Sequence, residues 1–258
     1  GFSYSYVDWI PHMSPEMFEL LHDLQYWVIP FLALGLLART SCAVLLFVQG
    51  WVFFADVQNF RNHPYFFLIV LGALALSPLA DALSVPAAAR ALRRRDPAEL
   101  LGTRRPLTFQ RLIQVQVCIA YVYAAFHKMH PSYLRGEVLA LKMGPDVLEG
   151  DSASVLEALF SEATLATIGE WVREPAFALP LAWATVGLEL LIPLGLWHRR
   201  WRPVTIACGV VFHLSIAFVM NITVFSLAMI GTYLLFLDPE RVRAVAARCL
   251  RIGASTSR

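Results

Sequence analysis

Residues 110–137 read QRLIQVQVCIAYVYAAFHKMHPSYLRGE. The stretch is an apolar run of the length a bilayer-crossing helix needs, about 20 residues, and it stops on the amine of Lys128. Lysine is scarce in this chain: Lys128 and Lys142 stand against nineteen arginines. Gln114, Tyr121 and Lys128 recur every seven residues, a spacing that keeps side chains on one helix face to within about 20° per step. A polar stripe on a membrane helix faces the protein interior, where partners for its hydrogen bonds exist. Two readings of Lys128 follow. It snorkels to the interface and anchors the helix end, or it is drawn into a low-dielectric interior, where the neutral amine is favoured and serves as a general base.

The composition sets the class. Of 258 residues, 58% are hydrophobic and 16% are charged, and the mean hydropathy is +0.59. Soluble domains run nearer half apolar and a quarter charged, so an all-α integral membrane protein is expected. Seven runs are candidate spans: 22–38, 41–57, 65–85, 109–128, 176–197, 203–221 and 223–238. Three of them contain Pro30, Pro78 and Pro193, which membrane helices tolerate when neighbours satisfy the freed backbone groups. Residues 13–21 and 152–171 carry helix signals outside these runs and predict short helices on the membrane surface. The chain reads as one domain over residues 1–258, a polytopic helical bundle with no soluble C-terminal domain.

Arginines orient the bundle. Basic residues crowd into 90–111, 198–202 and 241–258, beside hydrophobic runs, and the positive-inside bias makes that side cytoplasmic. Patches that flank membrane spans exclude nucleic acid as the partner. The opposite side receives the 58–64 loop and the 129–175 connection with its eight acidic residues. Asn62, His63 and Lys128 are therefore expected together at the outer side of a bacterial inner membrane. Alternation of seven spans also puts residue 1 outside, and Gly1 in place of methionine leads to the expectation of an eighth, omitted N-terminal helix.

Other polar residues are candidates for chemistry. In RNHPYF, residues 61–66, His63 can relay a proton near neutral pH and Asn62 can orient a carbonyl or hydroxyl; the alternative is a polar turn with Pro64 starting a helix. Glu189 and His213 lie deep in predicted spans, where an ionisable group costs about 2.5–3.5 kcal/mol even on the lenient insertion scale. They read either as functional groups or as a structural pair bonded to each other. Tyr65, Gln116 and His127 flank these positions and join Gln114, Tyr121, Glu189 and His213 as candidate substrate contacts. Cys42, Cys118 and Cys208 fall in apolar runs and read as small hydrophobes. No zinc-type Cys/His spacing occurs, so no metal is expected. Nor is there a Ser/His/Asp arrangement, a P-loop or a dinucleotide fingerprint.

The order of motifs is more specific than any one of them. LGLLARTSCAVLLF (34–47), RNHPYFFLIVLGAL (61–74), the basic RALRRRD (90–96), the lysine segment 116–137 and VFHLSIAFVMNITVFSLAMIGTYLLF (211–236) follow one another. In that order they resemble vitamin K-dependent gamma-glutamyl carboxylase. More broadly, the chain is similar to the horizontally transferred transmembrane (HTTM) domain family that contains the carboxylase core. The resemblance implies that Lys128 deprotonates a reduced naphthoquinone, that oxygen then converts the quinol into a strong base, and that carbon dioxide adds to a glutamate of a peptide or protein substrate. It assigns Asn62 and His63 to the same site. The cofactors implied are a reduced vitamin K (menaquinol-like), oxygen and carbon dioxide. The chain departs from the carboxylase at His127, where a second lysine is usual, and at the tryptophan after the lysine motif, where Tyr133 is the nearest aromatic. Two other readings stand beside this one: a non-carboxylating relative serving maturation, export or immunity of a small secreted peptide, and a non-enzymatic carrier whose polar groups lock helix packing.

Overall fold

The computed structural model describes residues 14–55, 62–143, 161–220 and 222–250, and every regular element among them is helical. In chain order the α-helices are α1 (Pro15–Ala33), α2 (Ala38–Ala55), α3 (Asn62–Leu76), α4 (Val85–Arg94), α5 (Thr108–Lys128) and α6 (Pro131–Leu134). They continue with α7 (Glu137–Met143), α8 (Glu162–Arg173), α9 (Pro175–Trp197), α10 (Arg202–Met220), α11 (Thr223–Thr232) and α12 (Pro239–Cys249). Short 3₁₀ turns occupy Pro97–Leu101 and Tyr233–Phe236. The chain divides into two compact units, residues 1–113 with 237–258, and residues 114–236.

In the first unit, Ser14 caps α1 by accepting from the Met17 amide at 3.2 Å, with Pro15 at the first helical position. That satisfies one of the orphan N–H groups every helix start carries. The start signal is the expected one, but the helix continues to Ala33. The surface helix expected over 13–21 and the span expected over 22–38 are thus corrected to one element. The break comes at Leu34–Leu37, where Gly35 adopts φ +72° and a Cβ there would lie 2.6 Å from the Ser84 Cβ. α2 buries Ala38, Ser41, Cys42, Leu45 and Val48, the three-and-four spacing of one helix face. The Gln49 side-chain amide of α2 donates to Oε1 of Gln25 in α1.

The span expected over 65–85 is also corrected, because α3 stops at Leu76. Pro78 disfavours helical backbone at the residue before it, and Ser77 turns its hydroxyl back to the Leu74 carbonyl at 2.9 Å. Arg39 donates to the Ser77 carbonyl at 2.9 Å, a cation at a helix C-terminus where the dipole favours one. Pro30 and Pro193, by contrast, sit inside continuous helices.

A polar knot closes the 80–105 segment. Asp81 accepts from the Thr103 hydroxyl at 2.5 Å, the Thr103 amide at 3.2 Å and the Arg105 guanidinium at 3.2 Å. The Thr103 hydroxyl bond is the main cause that holds the Asp81 carboxyl below its ordinary value; partial burial opposes it and Arg105 adds to it. Arg90 and Arg94 pair with Glu99 at 3.5 and 2.5 Å, and Arg243 of α12 donates to the Leu101 and Gly102 carbonyls.

The second unit packs α6 to α8 on α9 and α9 on α10. Its core joins Ala125, Tyr133, Leu139, Val172, Ala182 and Val186. Small side chains let helix backbones approach closely, which matters where lipid removes the hydrophobic drive between helices. The turn between α6 and α7 shows this most sharply. Gly136 has φ +81°, and a Cβ there would meet the Ala178 Cβ of α9 at 2.5 Å. α8 begins at Ser161, which caps the Thr164 amide at 3.3 Å. It overlaps the helix expected over 152–171, of which residues 152–160 lie outside the described residues.

Among the described residues, α2 and α9 are long and apolar enough to cross a membrane, and α3, Arg202–Phe218 and Thr223–Phe236 are apolar but shorter. α1 and α5 have 19 and 21 residues but are more polar. α1 carries Glu16, Glu19 and Asp23, and α5 carries Arg111, two interior glutamines and Lys128.

Candidate functional site

The face of α5 expected to point inward does so. Gln114 and Tyr121 are buried, as are Val117 and Ala125 on the same face, and Lys128 ends the stripe about a quarter exposed. Gln114 donates to the Leu235 carbonyl at 2.6 Å, which serves a carbonyl in the 3₁₀ turn that extends α11. Gln116 lies off this stripe, half-buried, and His127 is exposed with its ring stacked on Tyr123 at 5.9 Å.

The amine of Lys128 donates to Oε1 of Glu189, from the middle of α9. The carboxyl is far more deeply buried than the amine, with 4% of its side chain exposed against 26%. Lys128 Nζ also sits 5.9 Å from the centre of the Tyr133 ring, a cation–π distance. Tyr133, the aromatic nearest the lysine motif in sequence, is thus beside the amine in space.

Glu189 and His213 do not form the pair considered from their depth in the sequence. His213 instead meets the Tyr121 hydroxyl at 2.6 Å through Nε2, and the same hydroxyl bonds the Tyr233 hydroxyl. All three rings are buried. Depth along a helix says nothing of rotation about it. Glu189 shares its buried face with Val186 and Pro193 and turns toward α5. The Tyr233 ring fits because α10 has glycine at 209, where a Cβ would lie 2.2 Å from the Tyr233 hydroxyl. Glu189 Oε2 and His213 Nδ1 are buried and find no hydrogen-bond partner among the described residues, a condition rare in folded proteins.

A cavity of about 630 Å³ opens beside the amine. Lys128, Tyr133, Thr185 and Ser215 supply its polar atoms, and Leu139, Leu181, Leu188, Val211 and Phe212 are among the apolar side chains that line the rest. A second cavity of about 470 Å³ runs between α9 and α10 toward His198 and Trp201, and Leu188 and Cys208 line both. Pockets that take small organic ligands have this volume and this mix, mostly apolar with a few placed polar groups.

Asn62 and His63 are the first residues of α3, in the first unit, Asn62 exposed and His63 half-buried. Tyr65 is half exposed, with its ring 6.3 Å from that of Phe53. The residues that sequence reasoning passed over are Tyr233, Thr185 and Ser215. Tyr233 alone left a trace, as a hydroxyl near the end of an otherwise apolar run.

The HTTM domain family matches residues 1–240 of the chain. The chain belongs to the HTTM family. The match takes in α1 to α11 and the first residues of α12, so the second unit of this HTTM protein, the first unit up to residue 240, and every site residue above lie inside it. HTTM domains are associated with vitamin K-dependent carboxylase-like proteins, and with the two apolar spans this makes the chain a membrane protein. No solved structure matches it.

Proposed function

We propose that this HTTM protein is a membrane enzyme in which Lys128 acts as the general base toward a reduced naphthoquinol. One observation carries the reading: the Lys128 amine lies in the wall of an apolar cavity of about 630 Å³ and is held there by Glu189. A naphthoquinol fits such a site, since its rings match the apolar lining and its hydroxyl needs one basic partner. When bound, the quinol supplies the electrons with which oxygen is reduced and the strong base that carboxylation of a glutamate requires. The chain's own residues do the remaining work. Lys128 takes the hydroxyl proton, Tyr133 and Thr185 border the reacting edge, and Leu181, Leu188 and Phe212 keep water out. A dry site also protects reactive oxygen chemistry from side reactions.

The resemblance to the carboxylase assigns Asn62 and His63 to the same reaction, and with it the peptide glutamate and carbon dioxide as acceptors. The proposal includes a seven-span topology, with the basic loops cytoplasmic and Asn62, His63 and Lys128 outside. Shorter helices such as α3 are accommodated in a bilayer by local thinning or by partners.

The test compares Lys128→Arg with Lys128→Ala for epoxide formation from a reduced naphthoquinone in membranes. Arginine keeps a positive charge at the helix end but does not act as a base, so both variants lose turnover. Full turnover in Lys128→Arg removes the general-base role, and absence of epoxide from the native protein with any reduced quinone removes the enzyme reading.

A further inference from the structure

We infer that Glu189 is the positioning residue for Lys128 and the acceptor of the proton that Lys128 takes up. The inference rests on the quinol-oxidising reading above and assigns a part of it that Lys128 alone leaves open. A base that is regenerated each turnover has to pass its proton on. Among the described residues, the cavity side of Lys128 offers the hydroxyls of Tyr133, Thr185 and Ser215 and no carboxylate, and Leu139, Leu181 and Leu188 help line the rest.

Glu189 is different in three respects. Its neighbour Leu188 lines the cavity whereas Glu189 does not, so the carboxyl reaches the amine from behind the cavity wall. It bonds the amine through Oε1 only. Its Oε2 is buried and has no hydrogen-bond partner among the described residues, which leaves one carboxyl oxygen open to carry a proton. A purely structural explanation is weak here. Buried ion pairs add little stability over apolar side chains of similar volume, and a carboxyl in a membrane helix is costly wherever it serves no purpose.

The steps balance. The O–H bond of the substrate hydroxyl breaks as an N–H bond forms on Lys128, and the oxygen keeps the electron pair. An N–H bond then breaks as an O–H bond forms on Glu189 Oε1, which returns a neutral amine to the cavity wall. Rotation of the carboxyl holds the proton at the Oε2 position, away from the amine. The same two transfers in reverse then return it to the oxygen that leaves the cavity as water, which restores the carboxylate and the neutral amine. No oxidant or reductant enters these two transfers.

Two lysines in the whole chain make the test clean. The full-length protein in lipid nanodiscs is treated with an amine-acylating reagent, and mass spectrometry reads Lys128 against Lys142 as internal reference. Glu189→Gln keeps the volume and a hydrogen-bond acceptor but loses the charge. It is expected to raise acylation of Lys128 severalfold, because loss of the carboxylate frees the amine from its ion pair, with Glu189→Asp near the native rate. An unchanged ratio overturns the positioning role, whatever the activity. In the epoxidation assay, Glu189→Gln is expected to lower kcat at least tenfold at unchanged KM, with partial rescue by Glu189→Asp. Native kcat in Glu189→Gln overturns the proton hand-off. If acylation responds to Glu189→Gln and the native protein oxidises no quinol, the pairing stands, and the enzyme reading and the hand-off both fail.

Discussion

The hydroxyl of Tyr121 lies 2.6 Å from Nε2 of His213, in a hydrogen bond that joins α5 to α10 inside the second unit. The same hydroxyl bonds Tyr233, so one oxygen serves two buried partners. Tyr121→Phe removes it and leaves an imidazole nitrogen and a phenol unsatisfied. Each stranded group costs about 1–3 kcal/mol, so a drop of that order or somewhat more is expected in detergent unfolding experiments. Tyr233→Phe strands no such pair and costs less. Equal effects of the two changes would show that Tyr121 is not the hub.

Gly209→Ala puts a methyl carbon 2.2 Å from the Tyr233 hydroxyl and 2.6 Å from the ring carbon that bears it. Neither atom is the end of a flexible chain, so the ring must move. Overpacking of this kind costs about 1–3 kcal/mol, read as a lowered midpoint in thermal unfolding. The effect should be less than additive with Tyr233→Phe, because both changes disturb the same hydroxyl.

Lys128→Met leaves the Glu189 carboxyl buried without its partner. Breaking a buried pair from one side costs about 3–5 kcal/mol, and the exposed part of Lys128 puts the expectation at the lower end. The double change Lys128→Met with Glu189→Leu is expected to recover most of that loss. A double variant as unstable as the single one would mean that the pair does not act as a pair.

Acid should loosen the 80–105 segment before the helices. The Asp81 carboxyl is held below its ordinary value, chiefly by the Thr103 hydroxyl and then by Arg105. A carboxyl lowered in the folded state contributes stability that is complete above its unfolded value, about 3.9, and is lost as pH falls through the folded value. Hydrogen exchange at Thr103 and its neighbours is expected to rise below about pH 4. Asp81→Asn should raise exchange at neutral pH and abolish the pH step. A step that survives in Asp81→Asn would assign it to another group.

Much of this could be read from the residues in order. The α5 stripe, its end at Lys128, the Ser14 cap and the starts of α9, α10 and α11 follow from period and punctuation. Pro78 reads as a proline tolerated within a span, whereas Ser77 and Pro78 together stop α3 at Leu76. Ser14 and Pro15 predict a short surface helix over 13–21, whereas the helix they start runs on unbroken to Ala33. The partner of Glu189 was out of reach for another reason. Lys128 is 61 residues away, and which face of α9 meets α5 depends on packing, which no local pattern encodes.

The meeting of Gly136 with Ala178 has a mechanical consequence. The turn that follows Lys128 is locked to α9 eleven residues before Glu189, a distance of about 16 Å along the helix. Amine and carboxyl are therefore clamped to a common beam. A bend or tilt of α9 carries both along, and the gap between them is shielded from deformations that would separate helices joined only at their tips. Even a single methyl group at position 136 would undo the clamp without touching either charged residue.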